Sequence, residues 1–255
     1  MIKYTSTVAK KHASTEHRYI AKNAQTEATL PDGYDWESYR AYVGPPEEYD
    51  VFSAMVFNLL TSLGLRQHHR ILDIGCGSLR LGRLFMPYLN PGNYYGVEPN
   101  QWLVEAGIQH ETGQDLIQIK KPVFCFADSM AEFTQPLALN YAVAQSIFSH
   151  CGNDLLENWL SEIAFHLQDD GALLATFLLG DRDYSGDGWI YPECVCYRPE
   201  TMATIASKYG LGFDILDWAH PRQTWALFSK PGYDKRLIQG GPIGWNRLMR
   251  NGDDE

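Results

Sequence analysis

The feature that most constrains the fold is a regular alternation of short apolar runs with helix-like segments between residues 70 and 179. "RILDIG", "NYYGVEP", "VFCFAD" and "YAVAQSI" have the length and composition of strands, and "ALLATFLL" is apolar on both faces. Helical spacing follows the first two runs and returns in "NDLLENWLSEIAFHLQDDG", which we expect Gly171 to end. This alternation predicts an α/β protein with a mostly parallel, doubly wound, Rossmann-like sheet.

Two further runs complete the predicted sheet. "GFDILDWAH" and "TWALFSK" are joined by the short connection "PRQ", which indicates an antiparallel hairpin at one edge of a seven-stranded sheet. Upstream, residues 49–63 have helical spacing and Gly64 stands where a helix C-cap would lie. We therefore predict an N-terminal helical arm or lid over residues 1–45, a main domain over 46–230 and a tail over 231–255.

Charge and cysteine content limit the classes of partner and the cellular compartment that this chain can have. Twenty-one basic against 31 acidic residues give a formal net charge of −10, which disfavours nucleic acid and anionic membrane surfaces as partners. The apolar stretch near the middle of the chain is too short to span a bilayer. Five cysteines without paired C-x-x-C spacing argue against a disulfide framework or a structural zinc site. These features predict a cytoplasmic protein.

The turn after the first predicted strand, "DIGCGSLRLG", indicates the ligand. Gly75 and Gly77 allow a sharp turn and a close approach of the ligand to the backbone. A dinucleotide loop requires a third glycine where this chain has Arg80, and Asp73 would place a carboxylate near the pyrophosphate. A carboxylate at that place suits a ligand that has a positive amine and no phosphate, such as S-adenosylmethionine.

The other strand ends fit the same ligand. Glu98 ends the second run, 21 residues after Gly77, and can accept hydrogen bonds from both ribose hydroxyls. Asp128 ends the third run, where it can meet the adenine amino group. Gln145 and Ser146 end the fourth run, where they are predicted to border the cofactor and the methyl acceptor.

On these residues, the region from Tyr49 to Lys230 resembles the class I S-adenosylmethionine-dependent methyltransferases. The resemblance assigns three groups of residues to methionine, ribose and adenine, respectively: Asp73, Gly75, Cys76 and Gly77; Glu98, Pro99 and Asn100; and Asp128, Ser129 and Met130. The chain departs from the family pattern at Leu79, where a third glycine is common, and around residues 139–140, where an acidic residue is common.

The acceptor side has its own pattern. "QSIFSHCGND" resembles the S-x-F-x-H segment that follows strand four in many methyltransferases acting on small molecules. The resemblance implies that His150 faces a small-molecule acceptor and takes a proton from its hydroxyl group as the methyl group transfers. The alternative is that His150 caps or packs against the next helix.

A long irregular segment, residues 180–199, favours a lid or an acceptor-binding role. Its aromatic residues Tyr184, Trp189 and Tyr191 can stack on a substrate or pack against the rest of the loop. In the last hairpin, Arg222 and Gln223 can reach the same cleft.

Metal-dependent methylation would require clustered carboxylates after strands four and five. Gln145 occupies the first place, and Asp181 and Asp183 do not complete a cluster, so we predict that no metal is required. The Asn/Asp-Pro-Pro-aromatic signature of N-methylation on nucleic acids is absent at residues 145–148.

Two rival functions remain open at this point. One is a NAD(P)-dependent oxidoreductase on a similar sheet, and the other is a catalytically silent, methyltransferase-like partner subunit.

The N-terminal arm carries four aromatic residues that can close over the cleft or form a homodimer interface: Tyr34, Trp36, Tyr39 and Tyr42.

Overall fold

The structure, a computed structural model, describes residues 38–191, 193–239 and 243 of the 255-residue chain. Eight strands are present in this part: β1 (Ile71–Ile74), β2 (Tyr94–Val97), β3 (Val123–Cys125), β4 (Leu139–Ala144), β5 (Leu167–Leu179), β6 (Cys196–Tyr197), β7 (Gly212–Leu216) and β8 (Thr224–Ser229).

The helices of the same part lie between and before these strands. They are α1 (Ser38–Tyr42), α2 (Tyr49–Ser62), α3 (Gly82–Tyr88), α4 (Gln101–Gly107), α5 (Gln114–Lys120), α6 (Asn153–His166) and α7 (Pro199–Lys208). A π-helical turn spans Ile108–Thr112, and 3-10 turns span Pro46–Glu48, Phe148–His150 and Lys235–Leu237.

The strands form one sheet in the order β3-β2-β1-β4-β5-β8-β7. The first five of these are parallel, whereas β8 runs antiparallel to both β5 and β7. The predicted seven-stranded, doubly wound sheet with a C-terminal antiparallel hairpin is confirmed. The short strand β6 pairs with the end of β5, and two residues are too few for a periodic signal to predict it.

Helices cover both faces of the sheet because successive side chains of its strands point to opposite sides. In β5, Leu173, Ala175 and Phe177 pack beneath α6 and α7, whereas Ala172 and Leu174 face the side covered by α2 and α3. All five side chains are fully buried. A strand buried on both faces explains the continuous apolar run in the sequence.

The boundary between α6 and β5 differs from the prediction. The helix ends at His166 rather than Gly171, and β5 begins at Leu167, which pairs with Leu139. A Cβ on Gly171 would lie 2.8 Å from the Leu139 carbonyl oxygen, so glycine is needed here for close strand pairing rather than for a helix cap. Helix α5 was not predicted either.

The described parts of the predicted arm and tail contact the main domain. Of the predicted arm, Tyr34 and Trp36 lie outside the described residues, whereas Tyr39 in α1 is buried. After residue 230, Tyr233 and Ile243 pack into the core beside α2. In the described part of the chain, no helix is long and apolar enough to cross a membrane.

Candidate functional site

The turn between β1 and α3 has the sharp geometry that its two glycines predict. Gly75 and Gly77 have φ values of +65° and +52°, in the left-handed region that disfavours other residues. A Cβ on Gly77 would lie 2.7 Å from Val43 Cγ1, and one on Gly75 would overlap the Ile147 side chain. Both positions therefore require glycine for conformation and for space.

Asp73 places a buried carboxyl group at the base of this turn. It is 2% exposed and accepts a 2.7 Å hydrogen bond from the Tyr94 hydroxyl at the start of β2. Burial raises the pKa of Asp73 to about 7, although the Tyr94 hydrogen bond and the nearby Arg80 cation oppose that rise. A cationic ligand group would stabilise the ionised form.

Glu98, the residue after β2, is a second buried carboxyl group. Its Oε2 accepts from the Gly77 N–H at 3.1 Å, and its Oε1 accepts from the Asn100 backbone and side chain at 2.9 and 2.7 Å. Burial raises its pKa as well. Glu98 thus joins the glycine turn to the end of β2, and Pro99, between Glu98 and Asn100 in the sequence, is exposed.

The predicted adenine residues lie farther along the chain from their strand than expected. β3 ends at Cys125, so the expectation that Asp128 ends this strand is wrong. Asp128 is exposed and Ser129 half-buried, whereas Met130 is buried and its N–H donates to Glu162 Oε2 at 2.9 Å. Their assignment to adenine stays a prediction.

β4 ends at Ala144, so Gln145 and Ser146 directly follow the strand rather than ending it as predicted. Ser146 has φ +61°, a strained value for a residue other than glycine. Its N–H donates to Thr176 Oγ1 at 2.7 Å, and its Oγ accepts from Gln145 and Gln223 at 2.7 and 3.2 Å. This network holds a strained turn beside the glycine loop.

A small cleft lies between the ends of β1 and β4, where the strand order reverses. Ligands of doubly wound sheets bind at this switch point. Eight residues line the cleft: Val43, Asp73, Gly75, Cys76, Gly77, Arg80, Leu81 and Gln145. The predicted methionine-binding group and Gln145 are therefore brought together, and Glu98 touches them through Gly77.

Arg80 is the site residue that sequence reasoning missed. It is 8% exposed, and its guanidinium donates to the Val43 carbonyl at 2.9 Å and to Gln145 Oε1. The signal was present, because an arginine stands where a dinucleotide loop would have its third glycine. In the sequence alone, that position argues against a dinucleotide but does not identify a ligand-binding arginine.

Helix α1 is fastened beside the cleft through Glu111. The Glu111 carboxylate, whose side chain is 4% exposed, accepts from the Tyr39 hydroxyl at 2.5 Å and pairs with Arg40 and Arg83 at 2.6 and 3.3 Å. Val43, just after α1, then reaches both Arg80 and the glycine turn.

His150 lies within the 3-10 turn after β4 and is 8% exposed. Its Nδ1 donates to the Glu193 carbonyl at 2.7 Å, and the rings of Tyr191 and Trp189 lie 4.8 and 5.6 Å away. Helix α6 has Gly152 at its N-cap and no side-chain cap. His150 therefore packs against the 180–199 segment rather than capping this helix.

The aromatic residues of that segment divide into two groups. Tyr184 packs against the core, whereas the Tyr191 hydroxyl donates to the Tyr42 carbonyl at 3.1 Å and so connects the segment to α1. The polar pair of the last hairpin divides too. Gln223 reaches Ser146, but Arg222 pairs with Glu48 at 2.6 Å.

Asp183, one of the two carboxylates considered as metal ligands, is engaged by other residues. Asp183 pairs with Arg198 at 2.6 Å and accepts from the Thr201 hydroxyl at 2.9 Å. Over residues 38–191, 193–239 and 243, no group of three or more metal-ligating side chains is present.

Comparisons with known proteins agree with this architecture. No model of a known protein family matches the sequence. Among solved structures, a Leishmania major S-adenosylmethionine-dependent methyltransferase is similar over 76% of this chain and 79% of its own, with 16% identity and a TM-score of 0.56. Magnesium protoporphyrin IX methyltransferase from Synechocystis PCC 6803, with bound S-adenosylhomocysteine, is similar over 84% and 92%, with 11% identity and a TM-score of 0.55.

Human N-acetylserotonin methyltransferase, in complex with S-adenosylmethionine, is similar over 76% of this chain but only 55% of its own length. Its identity is 16% and its TM-score 0.54. The fold of this chain is therefore the Rossmann-like fold of S-adenosylmethionine-dependent methyltransferases.

Proposed function

We propose that this chain binds S-adenosylmethionine in the cleft after β1 and transfers its methyl group to a small molecule. The observation that carries the proposal is the pair of buried carboxyl groups, Asp73 and Glu98, on either side of a two-glycine turn. Glu98 already accepts from the Gly77 N–H. A pyrophosphate would meet two carboxylates there, whereas a ligand with an amine, a diol and no phosphate is complementary to them.

The residues present fit such a cofactor. The turn from Asp73 to Gly77 would hold its methionine part, Glu98 with Asn100 its ribose, and residues 128–130 its adenine. When bound, the cofactor supplies a methyl group that a sulfonium already activates. The chain itself has to align the acceptor, exclude water and accept a proton.

The acceptor we propose is a hydroxyl oxygen, with His150 as the base. Because Nδ1 of His150 donates to the Glu193 carbonyl, the neutral ring accepts a proton at Nε2. The ring is held on its sides by Tyr191 and Trp189. These contacts fix the orientation that a general base needs.

Replacing His150 with alanine is expected to lower kcat by about 100-fold or more, with little change in the affinity for S-adenosylmethionine. The variant should also lose the part of the pH–rate profile that depends on the imidazole. Labelled methyl transfer to a panel of hydroxylated small molecules measures both, with His68→Ala, an exposed histidine, as the control. An unchanged rate across pH would remove His150 from the mechanism.

The arm is proposed to act as a lid, because Val43 lies over Gly77 and the α1 contacts hold it there. Replacing Glu111 with glutamine weakens the pairs with Arg40 and Arg83. Both association and dissociation of S-adenosylhomocysteine are then expected to become faster, several-fold each. Stopped-flow binding measures the rates, and Lys208→Met, which breaks an exposed ion pair with Glu157, is the control. Unchanged rates would contradict a lid at this position.

The rival functions give different results in the same binding experiments. A NAD(P)-dependent oxidoreductase would bind its dinucleotide and ignore S-adenosylmethionine, and a silent partner subunit would bind neither. The acidic charge supports the exclusion of nucleic acid as a partner, and the cysteine pattern supports a cytoplasmic location. Both stay predictions, as does a homodimer formed through the arm.

A further inference from the structure

Arg80 is a buried cation whose hydrogen-bond partners are neutral. Its guanidinium donates to the Val43 carbonyl and the Gln145 amide oxygen, and it lies 5.2 Å from the centre of the Phe52 ring. Within the described part of the chain, no carboxylate forms an ion pair with it, although the neighbouring Arg83 pairs with Asp50 and Glu111.

This arrangement favours an anionic ligand. Burial lowers the pKa of Arg80 to about 10, so the group is still protonated at neutral pH. A buried charge paired only with neutral groups is destabilising until an anion reaches it. A guanidinium has five N–H groups, and the two hydrogen bonds leave three of them without a partner among the described residues.

The position of Arg80 identifies the anion. Arg80 lines the same cleft as Asp73, Gly75 and Gly77. The cleft therefore presents one guanidinium and one carboxylate, which together are complementary to an α-amino acid zwitterion. Phosphate is a poorer match, because Asp73 and Glu98 would repel its additional negative charge.

We propose that Arg80 binds the α-carboxylate of the methionine end of S-adenosylmethionine while Asp73 binds its α-amino group. The assignment rests on the proposed function and adds to it the residue that distinguishes amino-acid-bearing ligands from plain nucleosides. Arg80 thereby makes the carboxylate a condition of tight binding. The alternative partner of Arg80 is an anionic group on the methyl acceptor.

Calorimetric titration with two ligands separates these possibilities. S-adenosylmethionine carries the carboxylate, whereas decarboxylated S-adenosylmethionine keeps the sulfonium, ribose, adenine and amine. A charge-assisted hydrogen bond predicts that wild-type protein binds the first ligand about 10- to 100-fold more tightly than the second. This comparison requires no variant, so it does not depend on the folding of a mutant.

The variant Arg80→Met is expected to lose about 10- to 100-fold in affinity for S-adenosylmethionine and to bind the decarboxylated ligand as the wild type does. Arg80→Lys keeps the charge without the planar fork and should lie in between. The control Arg83→Met removes an arginine that pairs outside the cleft, so it should change both affinities alike.

Each outcome has one meaning. Equal affinity of the wild type for both ligands, or an equal loss for both in Arg80→Met, would overturn the assignment of Arg80 and leave the proposed function standing. If Arg80→Met kept its affinity for S-adenosylmethionine but had a raised KM for an anionic acceptor, the assignment would also be overturned. Arg80 would then bind the acceptor instead of the cofactor. Absence of binding of either ligand to the wild type would instead contradict the proposed function.

Discussion

Replacing Asp73 with asparagine is expected to weaken binding of S-adenosylhomocysteine by about 100-fold while making the protein more stable above neutral pH. The loss of affinity follows because asparagine cannot pair with an ammonium group. The gain in stability follows because the wild-type carboxyl group is buried and accepts only one hydrogen bond from a described residue, from Tyr94. Asparagine retains an acceptor for that hydrogen bond and carries no charge.

The folding stability of the wild type is expected to fall as the pH rises. The pKa of Asp73 is about 7 in the folded protein against 3.8 for the unperturbed group, so the folded state binds more protons between these values. The contribution of Asp73 to folding stability is complete below about pH 4 and is lost as the pH rises through about 7. The difference between the two pKa values corresponds to roughly 4 kcal/mol as an upper bound. Chemical denaturation of Asp73→Asn and wild type across pH measures this gap, with exposed Asp217→Asn as the control.

The affinity for the ligand should rise with pH, whereas the folding stability falls. Because the ammonium group binds the ionised carboxylate, the affinity for S-adenosylhomocysteine should rise about tenfold from pH 6 to pH 8. In Tyr94→Phe the hydrogen bond that lowers the pKa of Asp73 is gone, so this rise should move to higher pH. An affinity that does not change with pH, together with unaltered binding in Asp73→Asn, would show that Asp73 does not touch the ligand.

Replacing Glu98 with glutamine is expected to weaken all adenosine-containing ligands of this site by about 100-fold. The carboxylate accepts hydrogen bonds from the Gly77 N–H and from the backbone N–H and side-chain amide of Asn100. A glutamine amide would direct its own N–H groups at one of these donors, so the turn loosens and the ribose loses an ionised acceptor.

This loss should be the same for ligands with and without a carboxylate, which separates the role of Glu98 from that of Arg80. Calorimetry with S-adenosylhomocysteine and methylthioadenosine measures both affinities. Glu105→Gln is the matched control, because Glu105 is exposed and its carboxylate accepts from the Gln101 side chain. Wild-type affinity in Glu98→Gln would contradict the ribose assignment.

The parts of the fold that the sequence predicts are those set by local pattern. Apolar runs give β1, β2, β4 and β5, and the glycines after β1 give the turn. Because the carboxyl ends of parallel strands meet at one edge, Asp73 and Gln145 had to come close. The predicted hairpin of β7 and β8 has the same local origin, since its short connection leaves no room for a helix.

Long-range packing determines what the sequence did not show. The guanidinium of Arg80 donates to the carbonyl of Val43, 37 residues earlier, and packs against Phe52. The α6–β5 boundary lies at His166 because Leu167 pairs with Leu139 on a neighbouring strand. The periodicity of a segment does not indicate a partner that is distant in the sequence. The local sequence therefore predicts neither the burial of Arg80 nor the α6–β5 boundary.

The central claim is that the cleft between β1 and β4 binds S-adenosylmethionine. Isothermal titration of the full chain with S-adenosylmethionine, S-adenosylhomocysteine and NAD tests it most directly. We predict one-site binding of the first two ligands with micromolar dissociation constants and no binding of NAD. Binding of NAD alone, or of none of the three, would contradict the claim.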